Sequence, residues 1–105
     1  MENELKQERF KINNGRVLRR INLLRHTYSD LASVQKVTEH EGIRINEFMD
    51  CVNYLSEAGY IHLRSIVGHR EEQLADAEYR ELEAKVSAKG IRLLAGVLFD
   101  EAVEV

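Results

Sequence analysis

The feature that most constrains the fold of this chain is a change in the spacing of apolar residues at Gly59. Before this glycine, apolar side chains recur every three or four residues, which is the spacing of an amphipathic helix. After it, residues 60–67 (YIHLRSIV) alternate in character, as a half-buried β-strand does. Residues 82–86 (LEAKV) alternate again, so we expect the two segments to pair as an antiparallel hairpin with a long loop. The chain is therefore predicted to have a mostly helical α+β fold.

The part of the chain before this change contains three predicted helices. The first covers residues 16–28 and has an apolar face at helical spacing, formed by Val17, Leu18, Ile21, Leu24 and Tyr28. The second is a two-turn helix over residues 34–41, which Ser33 would cap and which would place Val34 and Val37 inward. Because the chain contains no proline, glycines and capping residues must end these helices.

The third predicted helix covers residues 44–58, between Gly42, which suits a left-handed turn, and Gly59. Its predicted buried stripe consists of Ile45, Phe48, Met49, Cys51, Val52 and Leu55. After the hairpin, Ser87 is expected to cap a last helix over residues 88–95. The side chains that this helix would bury are Ile91 and Leu94, with Leu93 as a third candidate.

A length of 105 residues suits one domain with one modest core. We expect residues 1–14 to form a polar N-terminal arm, because the Asn-Asn-Gly sequence at its end is typical of a break between segments. The domain itself would cover residues 15–96. Residues 97–105 would form a tail that packs on a neighbour or on another protomer.

Composition excludes several classes of protein. No apolar run approaches the ~18 residues of a membrane span, and the charged N-terminus does not have the pattern of a signal peptide. The single Cys51 excludes an intrachain disulfide and fits a reducing cytoplasm. The four histidines show no ligand spacing, and no nucleophilic set or phosphate loop is present. We therefore expect a cytoplasmic protein that does not contact a membrane, is not an enzyme, and has no metal site or cofactor.

Charge is distributed unevenly along the chain, although the net charge is only −3. Residues 1–44 contain nine basic and six acidic side chains, whereas residues 45–105 contain six basic and twelve acidic ones. This asymmetry is typical of a protein with an anionic partner at its basic end, and equally of protomers that attract each other head to tail. A globally basic nucleic-acid-binding protein is excluded, so contact with DNA would require a local patch.

Residues 34–53 have the pattern of a helix-turn-helix, in which two short helices cross over a tight turn. Thr38 would lie at the crossing, where alanine is preferred, Gly42 would lie in the turn, and Ile43 would close it. Glu41 departs from the pattern, because an apolar residue is more usual at its position. Three helices followed by a β-hairpin are the plan of a winged helix-turn-helix domain.

Residues 17–96 resemble the winged-helix superfamily of small bacterial and phage transcription regulators. Within this stretch, YLSEAGYIHLR and LEAKVSAKGIRLLAG are similar to small, uncharacterised proteins encoded by Mu-like prophages, and the closing DEAVEV resembles an acidic tail in that group. The resemblance implies a winged-helix fold and a DNA-binding role. It also implies a recognition helix at residues 44–57 and a wing at residues 60–86.

Two groups of side chains are candidates for contact with DNA. The outward positions of the predicted recognition helix would reach base edges, since Arg and Asn bind guanine and adenine while carboxylates accept from cytosine. These candidates are Arg44, Asn46, Glu47, Asp50 and Asn53. Contacts to phosphate would come from basic residues elsewhere, namely Arg16, Arg19, Arg20, Lys36 and Arg64.

The expected function is that of a small transcription regulator of prophage type, which binds double-stranded DNA as a homodimer. The dimer is inferred from apolar residues left over in the arm and tail: Leu5, Phe10, Val97, Leu98, Phe99, Val103 and Val105. The alternative is a winged-helix module that binds a basic protein partner and no DNA. It is suggested by the acidic loop of the hairpin, which DNA would repel and which carries Glu71, Glu72, Asp76, Glu78 and Glu81 against Arg70 and Arg80.

Overall fold

A computed structural model describes residues 2–105 of the chain. Within these residues the fold is α+β and mostly helical, with four α-helices and one three-stranded antiparallel sheet. The helices are α1 (Glu2–Ile21), α2 (Leu31–His40), α3 (Ile45–Glu57) and α4 (Ala88–Leu94), and the strands are β1 (Ser29–Asp30), β2 (Ile61–Ser65) and β3 (Leu82–Val86). Short 3-10 helices cover Asn22–Leu24 and Tyr79–Glu81. No helix in the described part is long and apolar enough to cross a membrane.

The sheet confirms the predicted hairpin and adds a strand that was not predicted. Strands β2 and β3 pair antiparallel, from Ile61 opposite Val86 to Ser65 opposite Leu82. The order is β1-β3-β2, because Ser29 pairs with Ala84 on the other edge of β3. Strand β1 is only two residues long, and so short a strand has no alternation to recognise in a sequence.

The core lies between the sheet and helices α1, α2 and α3. Most of the apolar stripe that was predicted for α3 belongs to this core. Phe48, Val52 and Leu55 are fully buried and Cys51 almost so, as the 3.6-residue spacing predicts. Ile45 is 41% exposed instead, because it occupies the first turn of the helix, beyond the packed surface.

The predicted break at residues 13–15 is wrong, because α1 continues through it without interruption. Asn14 is buried and its Nδ2 donates to the carbonyl of Ala102 at 2.9 Å. A Cβ added at Gly15 would lie 1.8 Å from the carbonyl oxygen of Glu104. The Asn-Asn-Gly sequence is therefore the place where the C-terminal tail approaches a continuous helix, and α1 crosses the boundary drawn between arm and domain.

Two helix ends and one side-chain position differ from prediction. The first helix ends at Ile21 rather than at residue 28, and Leu24 in the 3-10 turn that follows is 61% exposed. Helix α2 begins at Leu31, because Asp30 caps it by accepting from the amide of Ser33 at 3.1 Å. The predicted inward position of Val37 is also wrong, since this residue is 43% exposed.

The predicted glycine turn before α3 and the serine cap of α4 are confirmed. Gly42 has a φ of +92°, which a residue with a Cβ rarely adopts. The hydroxyl of Ser87 accepts from the amide of Gly90 at 3.1 Å. Within α4, however, Leu93 is the fully buried residue, whereas Ile91 is 36% exposed.

The C-terminal tail packs on its own chain. The amide of Glu104 donates to the carbonyl of Lys11 on α1 at 3.1 Å, and Val103 is buried. Asp100 Oδ2 accepts from the hydroxyls of Tyr54 and Tyr60, both at 2.6 Å. The tail thereby joins α1, α3 and the start of β2 without a second protomer.

Candidate nucleic-acid interface

Helices α2 and α3 are joined by a tight turn over residues 41–44. The amide of Gly42 donates to the carbonyl of Glu39, and the amide of Ile43 donates to the carbonyl of Thr38, both at 3.0 Å. Thr38 is fully buried at the crossing, and its hydroxyl is close to the carbonyls of Val34 and Gln35 at 3.0 and 3.1 Å. A threonine is tolerated in place of the preferred alanine because its polar atom is satisfied within α2.

The acidic residue in this turn has a partner on α1. Glu41 Oε1 accepts from Arg20 Nε at 2.7 Å, and the carbonyl of Glu41 accepts from Arg16 Nη1 at 3.3 Å. The hydrogen bond from Arg20 holds the pKa of Glu41 below its usual value, although burial opposes this shift. The turn is thus tied to α1 by an ion pair rather than by an apolar contact.

Three of the predicted base-contacting residues form one exposed row on α3. Asn46, Asp50 and Asn53 are exposed and are separated by four and three residues, so they lie on the same face of the helix. Arg44 is also exposed, directly before the first turn of α3, and forms no ion pair within residues 2–105. These four side chains follow the turn between the two helices and are accessible to a ligand.

Glu47, the fifth predicted base contact, is held within the chain. Its two carboxylate oxygens accept from Arg9 Nε and Nη2, each at 2.7 Å, and Oε1 also accepts from the amide of Arg44 at 3.0 Å. The hydrogen bonds from Arg9 are the main cause that lowers the pKa of Glu47 to about 2. Contact between Glu47 and a base would require this bidentate pair to open.

The five residues predicted to contact phosphate fall into two groups: those that form an ion pair within the chain and those that do not. Arg64 is half-buried, binds Glu83 Oε2 at 2.6 Å and stacks at 3.6 Å over the ring of Tyr28, so it holds the sheet together. Arg20 is paired with Glu41. Arg16, Arg19 and Lys36 form no ion pair among the described residues, and of these Arg19 and Lys36 are exposed.

Arg16 and Arg19 nevertheless point to different neighbours. Arg16 binds the turn between α2 and α3, as described above. Arg19 donates instead to the carbonyl of Glu104 in the tail at 3.0 Å and lines a shallow pocket with Arg25 and Leu94. Within the predicted phosphate set, only Arg16, Arg20 and Lys36 therefore lie on α2 or directly against the turn.

Arg9 is a residue that sequence reasoning missed. It lies in the predicted polar arm, and its guanidinium joins α1 to the start of α3 by binding Glu47 and the carbonyl of Gly42. No short-range pattern identifies this pair, because 38 residues separate its members. The role of Tyr54 and Tyr60 in binding Asp100 depends on similarly distant residues.

Further along the same face of α3, the second half of the helix lines a groove of about 610 Å³, and Asn53 belongs both to the exposed row and to the lining of this groove. The groove, here called the acidic groove, lies between α3, β2 and residues 71–76 of the β2–β3 loop. Its carboxylates are Glu57, Glu71, Glu72 and Asp76, and no Lys or Arg is among its lining residues. The predicted acidic character of this loop is therefore concentrated on the side that faces α3.

The structure shows few groups suited to covalent or metal chemistry. Burial raises the pKa of the Cys51 thiol to about 12, so the thiol is protonated and unreactive at neutral pH. Among residues 2–105, no three His, Cys, Asp or Glu side chains are grouped so as to hold a metal ion. What this part of the chain offers to a ligand is its surface: the polar row at the start of α3 and the acidic groove beyond it. The chain matches no model of a protein family, no curated protein and no solved structure.

Proposed function

We propose that this chain is a winged-helix domain of prophage type that binds double-stranded DNA through α3. The order of elements supports the winged helix: a helix, a short strand, a helix-turn-helix and then a β-hairpin, with the short strand paired to the last one. The observation that carries the proposal is the exposed row of Asn46, Asp50 and Asn53, with Arg44 before it. In a helix-turn-helix, this part of the second helix enters the major groove.

The chemistry of the row suits direct readout of bases. Arg44 can bind guanine through two hydrogen bonds, Asn46 and Asn53 can do the same with adenine, and Asp50 can accept from cytosine. Arg16 and Lys36 supply charge for phosphate, and the N-terminus of α3 adds a partial positive charge. Glu47 stays bound to Arg9, which removes one negative charge from the surface that would face DNA.

Because few cations face the DNA, we expect a single protomer to bind DNA weakly. A homodimer would place two such helices on two half-sites and so combine two weak contacts. A dimer was inferred from seven apolar residues. Of these, Val103 is buried where the tail packs on its own chain, and Phe10 and Leu98 are half-buried. The others remain exposed and are available to a second protomer: Leu5, Val97, Phe99 and Val105.

The test is a selection from a randomised duplex library, followed by anisotropy titration of the selected duplex at about 50 and about 200 mM salt. We expect binding that falls with salt. Arg44→Ala should cost about 1–3 kcal/mol on the selected duplex and little on a random one. The matched control is Arg92→Ala, which removes an exposed arginine on α4. Failure to enrich any sequence, or equal effects of the two substitutions, would contradict the proposal.

The acidic groove favours the alternative function, a winged-helix module that binds a basic protein and no DNA. DNA carries one negative charge per ~1.7 Å, so a groove with four carboxylates and no lysine or arginine would repel it. Under this alternative, the selection enriches no sequence, while a cationic protein segment binds at the groove.

A further inference from the structure

The acidic groove is bounded by three elements of different character. Asn53, Ser56 and Glu57 of α3 form one side, residues 71–76 form the other, and the edge of β2 at Ile61 and Leu63 lies between them. A volume of about 610 Å³ lies in the range of pockets that hold ligands, about 300–1,000 Å³. Ile61 and Leu63 are only 4% and 6% exposed, whereas Glu57, Glu71 and Asp76 around them are exposed, so a ligand would meet these carboxylates before it reaches the strand.

Strand β2 is an edge strand of the sheet, and the β2–β3 loop covers only part of its outer edge. Beside the end of the strand, the amide of Ser65 donates to the carbonyl of Arg70 at 2.7 Å, and the carbonyl of Leu63 accepts from the amide of Glu72 at 3.3 Å. Beyond Glu72 the loop forms a turn that makes no backbone hydrogen bond to β2, and Leu74 within this turn packs against the core. The first residue of β2, Ile61, has no such neighbour on its outer side.

The hydrogen-bonding pattern shows which backbone groups of β2 are open. Partners alternate along an antiparallel pair, so every second residue turns its amide and carbonyl away from β3. Tyr60 accepts from the amide of Ser87, and the amide of Ile66 donates to Glu81, so even-numbered residues face β3. The amide and the carbonyl of Ile61 therefore point outward, toward the groove, and no hydrogen bond joins them to another described residue.

The charge of the groove selects the occupant of this edge. Four carboxylates line it, whereas the partial negative charge at the C-terminal end of α3 is met by Lys89, whose Nζ donates to the carbonyl of Ala58 at 2.9 Å. The side chains of Glu57, Glu71, Glu72 and Asp76 form no hydrogen bond or ion pair within residues 2–105, so their charges are not neutralised by the chain itself. An extended peptide with cationic side chains matches both the open edge and the charge.

We propose that the acidic groove binds an extended, Lys- or Arg-rich segment of a partner protein, which adds a strand to β2 at Ile61 while its cations contact the four carboxylates. The proposal gives a ligand class to the alternative, protein-binding function and rests on the four carboxylates and β2, although Asn53 belongs to both surfaces. Main-chain hydrogen bonds supply one part of the affinity, and ion pairs supply the other.

The probe is a labelled peptide of about six residues in which Lys and Thr alternate, titrated by anisotropy against the full chain. The double substitution Glu57→Gln with Asp76→Asn should weaken binding by about three- to tenfold, since exposed ion pairs contribute little individually. The control, Glu4→Gln with Glu8→Gln, removes the same charge from exposed positions of α1 and should leave binding unchanged. Equal effects of the two double substitutions would overturn the proposal.

Two further measurements separate strand addition from simple attraction between charges. A peptide with N-methyl groups on alternate residues keeps its charge but cannot pair with β2, so it should bind at least about tenfold more weakly. In amide NMR spectra, the peptide should shift the signals of Ile61 and Leu63 most. Equal binding of both peptides, or shifts centred on α1 or α4, would overturn the proposal. So would light scattering that shows a dimer of the chain which the peptide converts to a monomer, because a second copy would then occupy the groove.

The test distinguishes this proposal from the proposed DNA contact. The groove substitutions leave Arg44, Asn46 and Asp50 intact, so affinity for a selected duplex should not fall. Conversely, Arg44→Ala should leave affinity for the peptide unchanged. A loss of peptide binding in Arg44→Ala would overturn the assignment of the peptide to the groove.

Discussion

The two ends of α3 differ in charge, and the difference suggests opposite partners. At the N-terminal end, Arg44 is exposed, Arg9 neutralises Glu47, and the helix terminus carries a partial positive charge. At the C-terminal end, Glu57 lines a groove with three further carboxylates, while Lys89 Nζ donates to the carbonyl of Ala58 at 2.9 Å and so meets the partial negative charge of the helix terminus. The two ends of this 13-residue helix therefore differ in the charge of the side chains around them.

The two ends also differ in how the rest of the chain holds them. The N-terminal end is braced by the pair between Arg9 and Glu47, whose side chains are 53% and 27% exposed. The C-terminal end is braced by Asp100, which accepts from Tyr54 and from the buried Tyr60. An exposed ion pair contributes less than two partly buried hydrogen bonds to a charged group, so the tail should stabilise α3 more than Arg9 does.

The largest effect is expected from removing the brace at the C-terminal end. Asp100→Ala should lower the free energy of unfolding by about 3 kcal/mol, because two tyrosine hydroxyls lose their charged acceptor. Urea denaturation measures this change. The matched control is Glu101→Ala, which removes an exposed neighbouring carboxylate and should change the free energy of unfolding by less than about 0.5 kcal/mol. Similar losses in both variants would show that the tail does not hold α3.

A smaller effect is expected from pushing the tail away from α1. Gly15→Ala should cost about 1–3 kcal/mol, because the new Cβ would lie 1.8 Å from the carbonyl oxygen of Glu104. The same substitution in a chain that ends at Val103 should be neutral or stabilising, since alanine favours a helix over glycine. Denaturation of the four chains forms a double-mutant cycle. Equal costs with and without the last two residues would mean that the tail does not pack at this position.

The smallest effect concerns the brace at the N-terminal end and depends on pH. The pKa of Glu47 is lowered from 4.5 to about 2 in the folded chain, mainly by hydrogen bonds from Arg9. A lowered pKa means that the stabilisation is present above pH 4.5 and is lost as the pH falls toward 2. Because the pair is exposed, Glu47→Gln should cost less than about 1 kcal/mol at neutral pH.

Urea denaturation of the wild type and of Glu47→Gln across this pH range checks the expectation. The difference between the two chains should shrink as the solution is acidified. Glu8→Gln, an exposed glutamate on α1, serves as the control. A difference that grows toward pH 2 would have the wrong sign and would contradict the role given to Arg9.

Prediction from the sequence succeeded where the signal is local. Helix α3 was expected between Gly42 and Gly59 and is found there, with most of its apolar stripe buried. The pairing of residues 60–67 with 82–86 was also correct, because alternation marks both strands. The expected row on α3 followed from the same helical spacing, since positions opposite a buried stripe are exposed.

Prediction failed where distant residues compete with local preference. Asn14 and Gly15 are typical of a helix break, yet they lie within α1 because the tail packs against them and needs the absence of a side chain at Gly15. Glu47 was predicted to contact a base, like Asp50, because both residues lie on the polar side of α3. Only the position of Arg9 distinguishes them.

The sequence by itself determined the type and order of the main elements, because helical spacing, alternation and capping depend on residues within a few positions of each other. The tertiary structure alone decided which charges meet. Packing of α1 on α3 brings Arg9 to Glu47, and the path of the β2–β3 loop brings residues 71–76 beside Glu57. Contacts across such distances along the chain depend on how whole elements are oriented, and no local pattern encodes that orientation.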